Sequence, residues 1–255
     1  MKNTAIEQDA VTAVLKENLD RLEAQIAAAC REAGRPRGEV ALMAVSKMHP
    51  AAAIVAAEAL GIRLFGENRV QEFQEKSGQL SLPHGAPGRA GAAFHLIGHL
   101  QSNKAARAVE LFSSVDTLDS VSLAERLDQA AMRLGRRLAV LIEIKLSPEE
   151  TKAGLEPESA ELGMLLERLP DLRGLELRGL MMVPPFLEDL LAVRPYFRDL
   201  RVLRDRLAAA HPRLSFGELS MGMSHDFPVA IAEGATQVRI GTALFGARNY
   251  RPSAR

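Results

Sequence analysis

The segment Val40-Ala41-Leu42-Met43-Ala44-Val45-Ser46-Lys47 decides how the rest of the chain is interpreted. Its apolar run is continuous rather than alternating, which is typical of a strand buried on both faces of a parallel sheet. Lys47 closes this run. An ammonium group at the end of such a strand is partly desolvated, and desolvation lowers the pKa of a lysine towards neutrality. A neutral amine attacks aldehydes, so Lys47 is a candidate for a Schiff base. The alternative is a strand-end lysine that extends into solvent.

Runs of this kind recur along the chain and alternate with helix-like segments. The predicted strands are Val40–Ser46, Ile62–Gly66, Phe94–Gly98, Ser113–Thr117, Leu138–Lys145, Leu175–Val183, Leu214–Ser220 and Gln237–Gly241. The helix-like segments between them are Ala51–Leu60, Val70–Lys76, Ser102–Leu111, Ser122–Leu134, Glu156–Leu169, Leu187–Ala210 and Phe227–Glu233. Eight such units favour a single (β/α)₈ TIM-type barrel over residues 38–246. The alternative is an open doubly wound sheet, but no Gly-x-Gly-x-x-Gly motif follows the first strand.

A long amphipathic helix is predicted before the first strand, over residues 5–33. Its apolar face is formed by Leu15, Leu19, Leu22, Ile26 and Cys30. Because no full helix follows the eighth strand, we expect this extra helix to cover the barrel face left bare there. The segment Ser77–Ala92 is predicted to be one long irregular loop near the barrel mouth. We expect residues 1–255 to form one domain.

Composition excludes several classes of function. Lys+Arg and Asp+Glu are both 32, so no basic field favours nucleic acid or an anionic membrane. The absence of Trp and the presence of only two Tyr leave little surface for stacking on single-stranded nucleic acid. Cys30 is the sole cysteine and lies on an apolar helix face, so it is interpreted as core. No secretory-type segment or membrane-length apolar run is present, and we expect a cytoplasmic monomer.

Polar residues collect where the predicted strands end, and barrel active sites form at those ends. The loops after strands seven and eight are the usual phosphate site of the fold, and they hold Gly222-Met223-Ser224 and Gly241-Thr242. Glycine permits close approach of the backbone to a ligand, and the hydroxyl groups add donors. Arg239 alternates with apolar neighbours and is expected to point into the barrel. Ordinary glycine turns are the alternative.

Two further polar residues, Asn68 and His95, have both a functional and a structural interpretation. Asn68 is either a pocket residue or, with Glu67, a helix cap. His95 is interpreted as a hydrogen-bonded interior histidine. No metal-ligand spacing and no Gly-x-Ser-x-Gly motif is present. A lysine able to form an imine, facing a phosphate cradle across the barrel mouth, suggests a phosphorylated aldehyde, with pyridoxal 5′-phosphate (PLP) the leading candidate. A phosphosugar aldolase using Lys145 is the competing chemistry.

Six motifs in order carry a resemblance to a known family. They are Ala44-Val45-Ser46-Lys47, Phe65-Gly66-Glu67-Asn68, Phe94-His95-Leu96-Ile97-Gly98-His99-Leu100-Gln101-Ser102-Asn103-Lys104, Arg178-Gly179-Leu180-Met181, Leu219-Ser220-Met221-Gly222-Met223-Ser224 and Val238-Arg239-Ile240-Gly241-Thr242. The chain resembles the pyridoxal phosphate homeostasis protein family from about residue 40 to residue 248. The resemblance implies a barrel like the N-terminal domain of alanine racemase (fold-type III), with PLP held as a Schiff base on Lys47.

The resemblance also implies the remaining cofactor contacts. Phosphate contacts are implied for the positions that match the family's phosphate-binding residues, which are Met223, Ser224, Gly241 and Thr242. Asn68 and Arg239 match further pocket residues. The chain departs from the family pattern at two places: Phe94 stands where Trp is usual, and Lys145 stands where Asn is usual. A second lysine near the mouth, together with Lys152, puts the chemistry of that side in question.

Two classes of function follow. The first is a PLP carrier that stores, buffers or delivers the cofactor, with PLP and receiving apo-enzymes as partners and no catalytic residue. The second is a fold-type III PLP enzyme such as an amino-acid racemase. Those enzymes resemble this barrel but carry a second, mostly β domain, and here only 14 residues follow Gly241. Neither Tyr196 nor Tyr250 is placed as a base, and a cationic Arg239 near the pyridine nitrogen weakens PLP as an electron sink. The sequence therefore favours the carrier.

Overall fold

The computed structural model describes residues 2–80, 91–147, 149 and 153–246, with side chains from residue 12 onwards. Eight parallel strands close into a barrel in chain order, β1 to β8, with β1 paired to β8. The strands are β1 (Ala41–Val45), β2 (Leu64–Glu67), β3 (Ala93–Leu96), β4 (Ser114–Leu118), β5 (Leu138–Glu143), β6 (Leu175–Met181), β7 (Glu218–Met223) and β8 (Gln237–Ile240). The predicted barrel is confirmed.

Nine α-helices are assigned in the described ranges. They are α1 (Lys2–Glu32), α2 (Ala51–Ala59), α3 (Val70–Gln79), α4 (Ala105–Leu111), α5 (Val121–Arg133), α6 (Ala160–Arg168), α7 (Leu190–Ala210), α8 (Phe227–Ala232) and α9 (Thr242–Phe245). The main core lies between this helical layer and the outer faces of the strands. No helix in these ranges is both long and apolar enough to cross a membrane.

The interior of the barrel contains several buried polar side chains. Gln237 on β8 donates to Ser220 on β7 at 2.8 Å and lies 3.5 Å from the Asp116 carboxylate on β4, the opposite strand. Since partners in register on parallel strands share a face, the row Glu143–Met181–Ser220 across β5, β6 and β7 also faces inwards. A buried polar interior of this kind is costly unless each group finds a partner.

Helix α1 completes the outer layer as predicted. Its residues Leu15, Leu22, Ile26 and Cys30 are buried, and Leu19 packs partly buried against the same core. Asn18 donates to the Leu244 carbonyl of α9 at 3.0 Å. Arg35, just beyond α1, donates at 2.9 Å to the carbonyl of Ile231 in α8 and at 2.9 Å to that of Ala235, which follows α8. The short α9 therefore ends the barrel, and α1 covers the face beside it.

Several predicted boundaries need correction. β7 begins at Glu218 rather than Leu214, and it continues to Met223 because a register shift after Ser220 lets Met223 pair with Arg239. Helix α6 begins only after Ser159, whose hydroxyl accepts from the Leu162 amide and caps it. The predicted long loop is shorter, because α3 continues to Gln79. The segment 81–90 of that loop lies outside the described residues.

Candidate functional site

All seven predicted site residues lie at the carboxyl ends of four consecutive strands, β7, β8, β1 and β2. Met223 ends β7 and Ser224 follows it; Arg239 lies on β8, with Gly241 and Thr242 just beyond; Lys47 and Asn68 follow β1 and β2. Because β1 pairs with β8, the turn that carries Lys47 lies beside the Gly241 loop and not across the mouth from it. The two loops touch through the rings of His49 and Phe245, whose centres are 4.9 Å apart.

The turn around Lys47 is fixed on both sides by helix α3. The Lys76 ammonium donates to the carbonyl of Ser46 at 2.8 Å. The amide of Met48 donates to the Glu72 carboxylate at 2.5 Å. Met48 has a φ of 63°, a left-handed conformation that is costly for a residue with a side chain and persists where its surroundings enforce it. The half-buried Lys47 is therefore presented by a rigid turn rather than by a loose loop.

The groups that hold this turn form a buried ionic cluster. Lys76 lies 2.9 Å from Glu67 and 2.7 Å from Glu72, and Glu67 also accepts from the Ser46 hydroxyl at 2.7 Å. Burial raises the pKa of Glu67, although Lys76 opposes the rise. Burial acts in the same sense on Glu72, but its hydrogen bonds to Lys76 and to the Met48 amide leave its pKa lowered. Lys76 is thus committed to two carboxylates and one carbonyl.

Asn68 does not cap helix α3, so the alternative interpretation of this residue is wrong. The N-cap residue of α3 is Arg69, and its side chain makes no capping hydrogen bond to the helix. Asn68 is half-buried and lines a cavity of about 210 Å³ with His99 and Lys104. Its backbone packs tightly on the end of β3, where a Cβ on Gly98 would lie 2.3 Å from the Asn68 carbonyl oxygen. Only glycine fits there.

The loops after β7 and β8 leave backbone donors available. Among the described residues, the amides of Ser224, Gly241 and Thr242 have no hydrogen-bond partner. The amide of Met223 differs, since it donates to the Asp226 carboxylate at 2.6 Å. Ser224 joins the two loops by accepting from the Ala243 amide at 3.4 Å. Clustered unbonded amides are a common cradle for a phosphate, and Ser224, Gly241 and Thr242 each supply one amide here.

The two glycines of these loops differ in how much space the surrounding protein leaves for a Cβ atom. Gly222 has a φ of 93°, and a Cβ there would lie 2.7 Å from the Cβ of Ala230 on α8. Packing and backbone conformation alone therefore demand glycine at 222. Gly241 has no left-handed φ, and a Cβ there would lie at ordinary distances of 3.4–3.5 Å from Val45. The protein itself leaves room for a Cβ atom at 241.

Arg239 lies below these loops inside the barrel. Its guanidinium donates to the carbonyl and hydroxyl of Ser220 at 2.6 and 2.8 Å and to the Met182 carbonyl at 2.7 Å. Burial lowers its pKa below the usual value of an arginine, while Asp116, Asp226 and Glu143 oppose that change. Arg239 thus supplies a fixed positive charge beneath the mouth, as the strand pattern predicted.

His95 has a partner in the interior, as interpreted from the sequence. Its Nδ1 lies 3.0 Å from the Asp116 carboxylate, which also accepts from the Ser114 hydroxyl at 2.6 Å. Burial alone would lower the pKa of His95, but Asp116 outweighs it and the pKa is raised. The sequence analysis did not identify Asp116. Its signal was the alternation Ser114-Val115-Asp116, which places the side chains of Ser114 and Asp116 on the same, inward face of β4.

Glu143 is a second residue that the sequence analysis missed. It is the last residue of β5, on the strand opposite β1, and it is buried. Burial, helped by the Asp119 carboxylate, raises its pKa to about 7 against the opposing charge of Arg239. Its Oε2 has no hydrogen-bond partner among the described residues. The sequence signal that could have identified Glu143 was a single carboxylate within the otherwise apolar run Leu138–Lys145. Lys145 itself lies two residues beyond, half-buried, and Lys152 lies outside the described residues.

The described residues contain no group of three or more side chains that could together hold a metal ion. That the protein has no metal site stays a prediction from the sequence.

Residues 18–249 match the alanine racemase N-terminal domain family. The pyridoxal phosphate homeostasis protein of Aquifex aeolicus is 42% identical over 234 residues, covering 92% of this chain and 98% of that protein. The protein of the same name from Escherichia coli K12 is 39% identical over 236 residues, covering 92% and 97%.

Solved structures agree with these sequence matches. PipY of Synechococcus elongatus, with PLP bound, is 43% identical and superposes with a TM-score of 0.79, covering 91% of this chain and 100% of that one. Alanine racemase of Clostridium difficile has a TM-score of 0.68 at 17% identity and shares the fold, with 57% of its own chain covered. From its sequence, its barrel and these relatives, this chain belongs to the pyridoxal phosphate homeostasis protein family, within the alanine racemase N-terminal domain family.

Proposed function

We propose that this protein binds PLP and stores, buffers or delivers it, with the cofactor held as a Schiff base on Lys47. One observation carries the proposal: the rigid turn that bears Lys47 lies beside three unbonded amides, those of Ser224, Gly241 and Thr242. PLP requires both features, an amine for its aldehyde and donors for its phosphate. PLP binding by the PipY relative supports this choice over a phosphosugar.

Each remaining pocket residue has a role in this proposal. Ser224 and Thr242 contribute hydroxyls and amides to the phosphate, and Gly241 lets the backbone approach it. Met223 contributes through its position in the same loop, because its amide is already bonded to Asp226. Arg239 places a cation under the pyridine ring, and Asn68 borders the ring from the neighbouring β2 loop. The bound cofactor supplies the aldehyde; the protein supplies the amine, the anion cradle and the buried charges.

The proposal assigns no turnover to this site. A fixed guanidinium disfavours protonation of a nearby pyridine nitrogen, so PLP held here is a weak electron sink. The relatives at about 40% identity are homeostasis proteins, whereas alanine racemase shares only the fold. A racemase remains the second candidate function because of that shared fold. The proposal also includes a cytoplasmic monomer and apo-enzymes as recipients of PLP.

The test combines a transfer assay with a chiral assay. Protein loaded with PLP and freed of unbound cofactor is mixed with an apo-transaminase, and recovered activity is followed beside an equal concentration of free PLP. The same preparation is incubated with common amino acids, and their enantiomers are separated. The proposal predicts recovered transaminase activity without racemisation. Racemisation that is abolished in Lys47→Ala would overturn the carrier in favour of the enzyme. Inactivity in both assays would reduce the role to a static store.

A further inference from the structure

Glu143 holds a polar atom that no described residue satisfies. Its side chain is buried, with the residue only 7% exposed, and its Oε2 has no hydrogen-bond partner in the described part of the chain. Leaving a carboxyl oxygen buried and unpartnered is costly, whether the group is charged or neutral. Such an atom at the mouth of a ligand-binding barrel indicates a partner that arrives with the ligand.

The position of Glu143 places this atom on the ligand side of the barrel. Glu143 is in register with Met181, and Met181 with Ser220, so the three share the interior face. Ser220 accepts hydrogen bonds from Arg239. The Arg239 donors Nη1 and Nη2 are bonded to Ser220 and Met182. Arg239 therefore attracts the Glu143 carboxylate through space without satisfying its Oε2.

Groups of both charge signs surround Glu143. Asp119, which follows β4, raises its pKa, and Arg239 on β8 lowers it. Asp119 in turn lies 3.3 Å from the imidazole of His99. On the other sides, β6 presents Met181 and the segment after β5 presents Leu155, and neither titrates. With burial as the largest cause, the pKa of Glu143 is about 7, so the group is divided between both forms at neutral pH.

We propose that Glu143 is a further PLP-contacting residue that becomes fully protonated when the cofactor binds and then donates a hydrogen bond from its carboxyl group. The acceptor is an electron-rich atom of the pyridoxal ring, either the phenolate oxygen or the pyridine nitrogen. The proton comes from solvent, and no covalent bond changes. This inference rests on the proposed function.

The sign of the coupling follows from charge. PLP brings a phosphate of about −1.5 to −2 charges at neutral pH, and nearby negative charge disfavours an ionised carboxylate. Binding therefore shifts Glu143 towards its neutral form. Above pH 7 the unbound protein has lost that proton, so each bound PLP must recover it. The affinity for PLP should fall with rising pH, by up to about tenfold per pH unit from this residue alone.

The test compares wild type with Glu143→Gln. Glutamine has the same shape, cannot ionise and keeps a donor, so it should retain PLP and show a flatter pH dependence of Kd between pH 6 and pH 9. Calorimetry at pH 8, in two buffers of different ionisation enthalpy, counts the protons taken up on binding. The variant should take up about one proton fewer than wild type.

Two further variants make the comparison specific. Glu143→Met removes both the proton and the donor, so its affinity at pH 6 should be about tenfold weaker than that of Glu143→Gln. Glu218→Gln is the matched control, because Glu218 begins β7 at the opposite end of the barrel and its pKa is also raised by burial. That control should keep the wild-type pH profile. Thermal unfolding of each variant confirms that it is folded.

The outcomes separate this inference from the proposed function. Equal pH profiles and equal proton counts for wild type and Glu143→Gln, with PLP bound by both, would overturn the role of Glu143 alone. Failure of folded wild type to bind PLP at any pH would overturn the proposed function. A proton count that changes as much in Glu218→Gln as in Glu143→Gln would show a general electrostatic effect and would also overturn the assignment.

Discussion

The ammonium group of Lys76 donates a 2.8 Å hydrogen bond to the carbonyl of Ser46, the residue immediately before Lys47. Lys76 is on α3 and is 30 residues away in sequence. The same ammonium pairs with Glu67 at the end of β2, so one buried cation joins β1, β2 and α3 at the site. The turn that presents Lys47, the lysine that we propose to carry PLP, is therefore held in place by a second lysine, Lys76.

Replacing Lys76 should be far more damaging than replacing an exposed lysine. Lys76→Met leaves Glu67 buried without its partner, and removing one member of a buried ion pair costs about 3–5 kcal/mol. Lys16→Met is the matched control, since Lys16 forms an exposed i,i+4 pair with Asp20 worth about 0.3–0.5 kcal/mol. Urea unfolding measures both changes. Equal losses of unfolding free energy in the two variants would contradict the structural role given to Lys76.

The two loop glycines should separate folding from cofactor retention. Gly241→Val should fold, because its Cβ meets only ordinary contacts, yet retain PLP poorly because the side chain occupies the approach to the phosphate. Gly222→Ala should lose stability, by about 1–3 kcal/mol, because it introduces a side chain at a φ of 93° against α8. Thermal unfolding and the PLP dissociation rate distinguish the two effects. A Gly241→Val protein that retains PLP like wild type would place the phosphate elsewhere.

The pair formed by His95 and Asp116 should stabilise the protein within a limited pH range. The pKa of His95 is raised above 6.5 in the folded protein, so its contribution is complete below that pH and is lost as pH rises through the raised value. Burial would raise the pKa of Asp116, but His95, Ser114 and Arg239 together outweigh burial and the pKa falls below 3.8, so its contribution is lost on acidification. Both contributions are present together between about pH 4 and pH 6.5.

His95→Gln provides the test of this range. The free energy of unfolding of wild type should exceed that of the variant most clearly near pH 5.5, and the difference should shrink towards pH 8.5. The free energy of unfolding of wild type is compared with that of the variant at each pH, and not followed alone, because Glu143 affects both proteins. The pKa of Glu143 is about 7, so this residue also makes the protein less stable as pH rises. A difference between the two proteins that stays constant from pH 5.5 to pH 8.5 would show that the pair is not ionic.

The order of the barrel strands was predictable because it depends on local pattern. The continuous apolar run ending at Lys47 and the glycine-hydroxyl loops around Ser224 and Thr242 are each visible in a few consecutive residues. The roles of Lys76 and Glu143 were not predictable in this way, because they depend on groups that only the closed barrel brings together. Likewise, the different requirements for glycine at 222 and 241 depend on whether α8 packs against the loop.

The central claim is that PLP is bound covalently to Lys47, and reductive trapping tests it most directly. Wild-type protein loaded with PLP is treated with borohydride, digested and mapped by mass spectrometry, with Lys47→Ala treated in parallel. The pyridoxyl group should be found on the peptide containing Lys47 and should be lost from the variant. A label found mainly on Lys145 or Lys152, or retained in full by Lys47→Ala, would contradict the account.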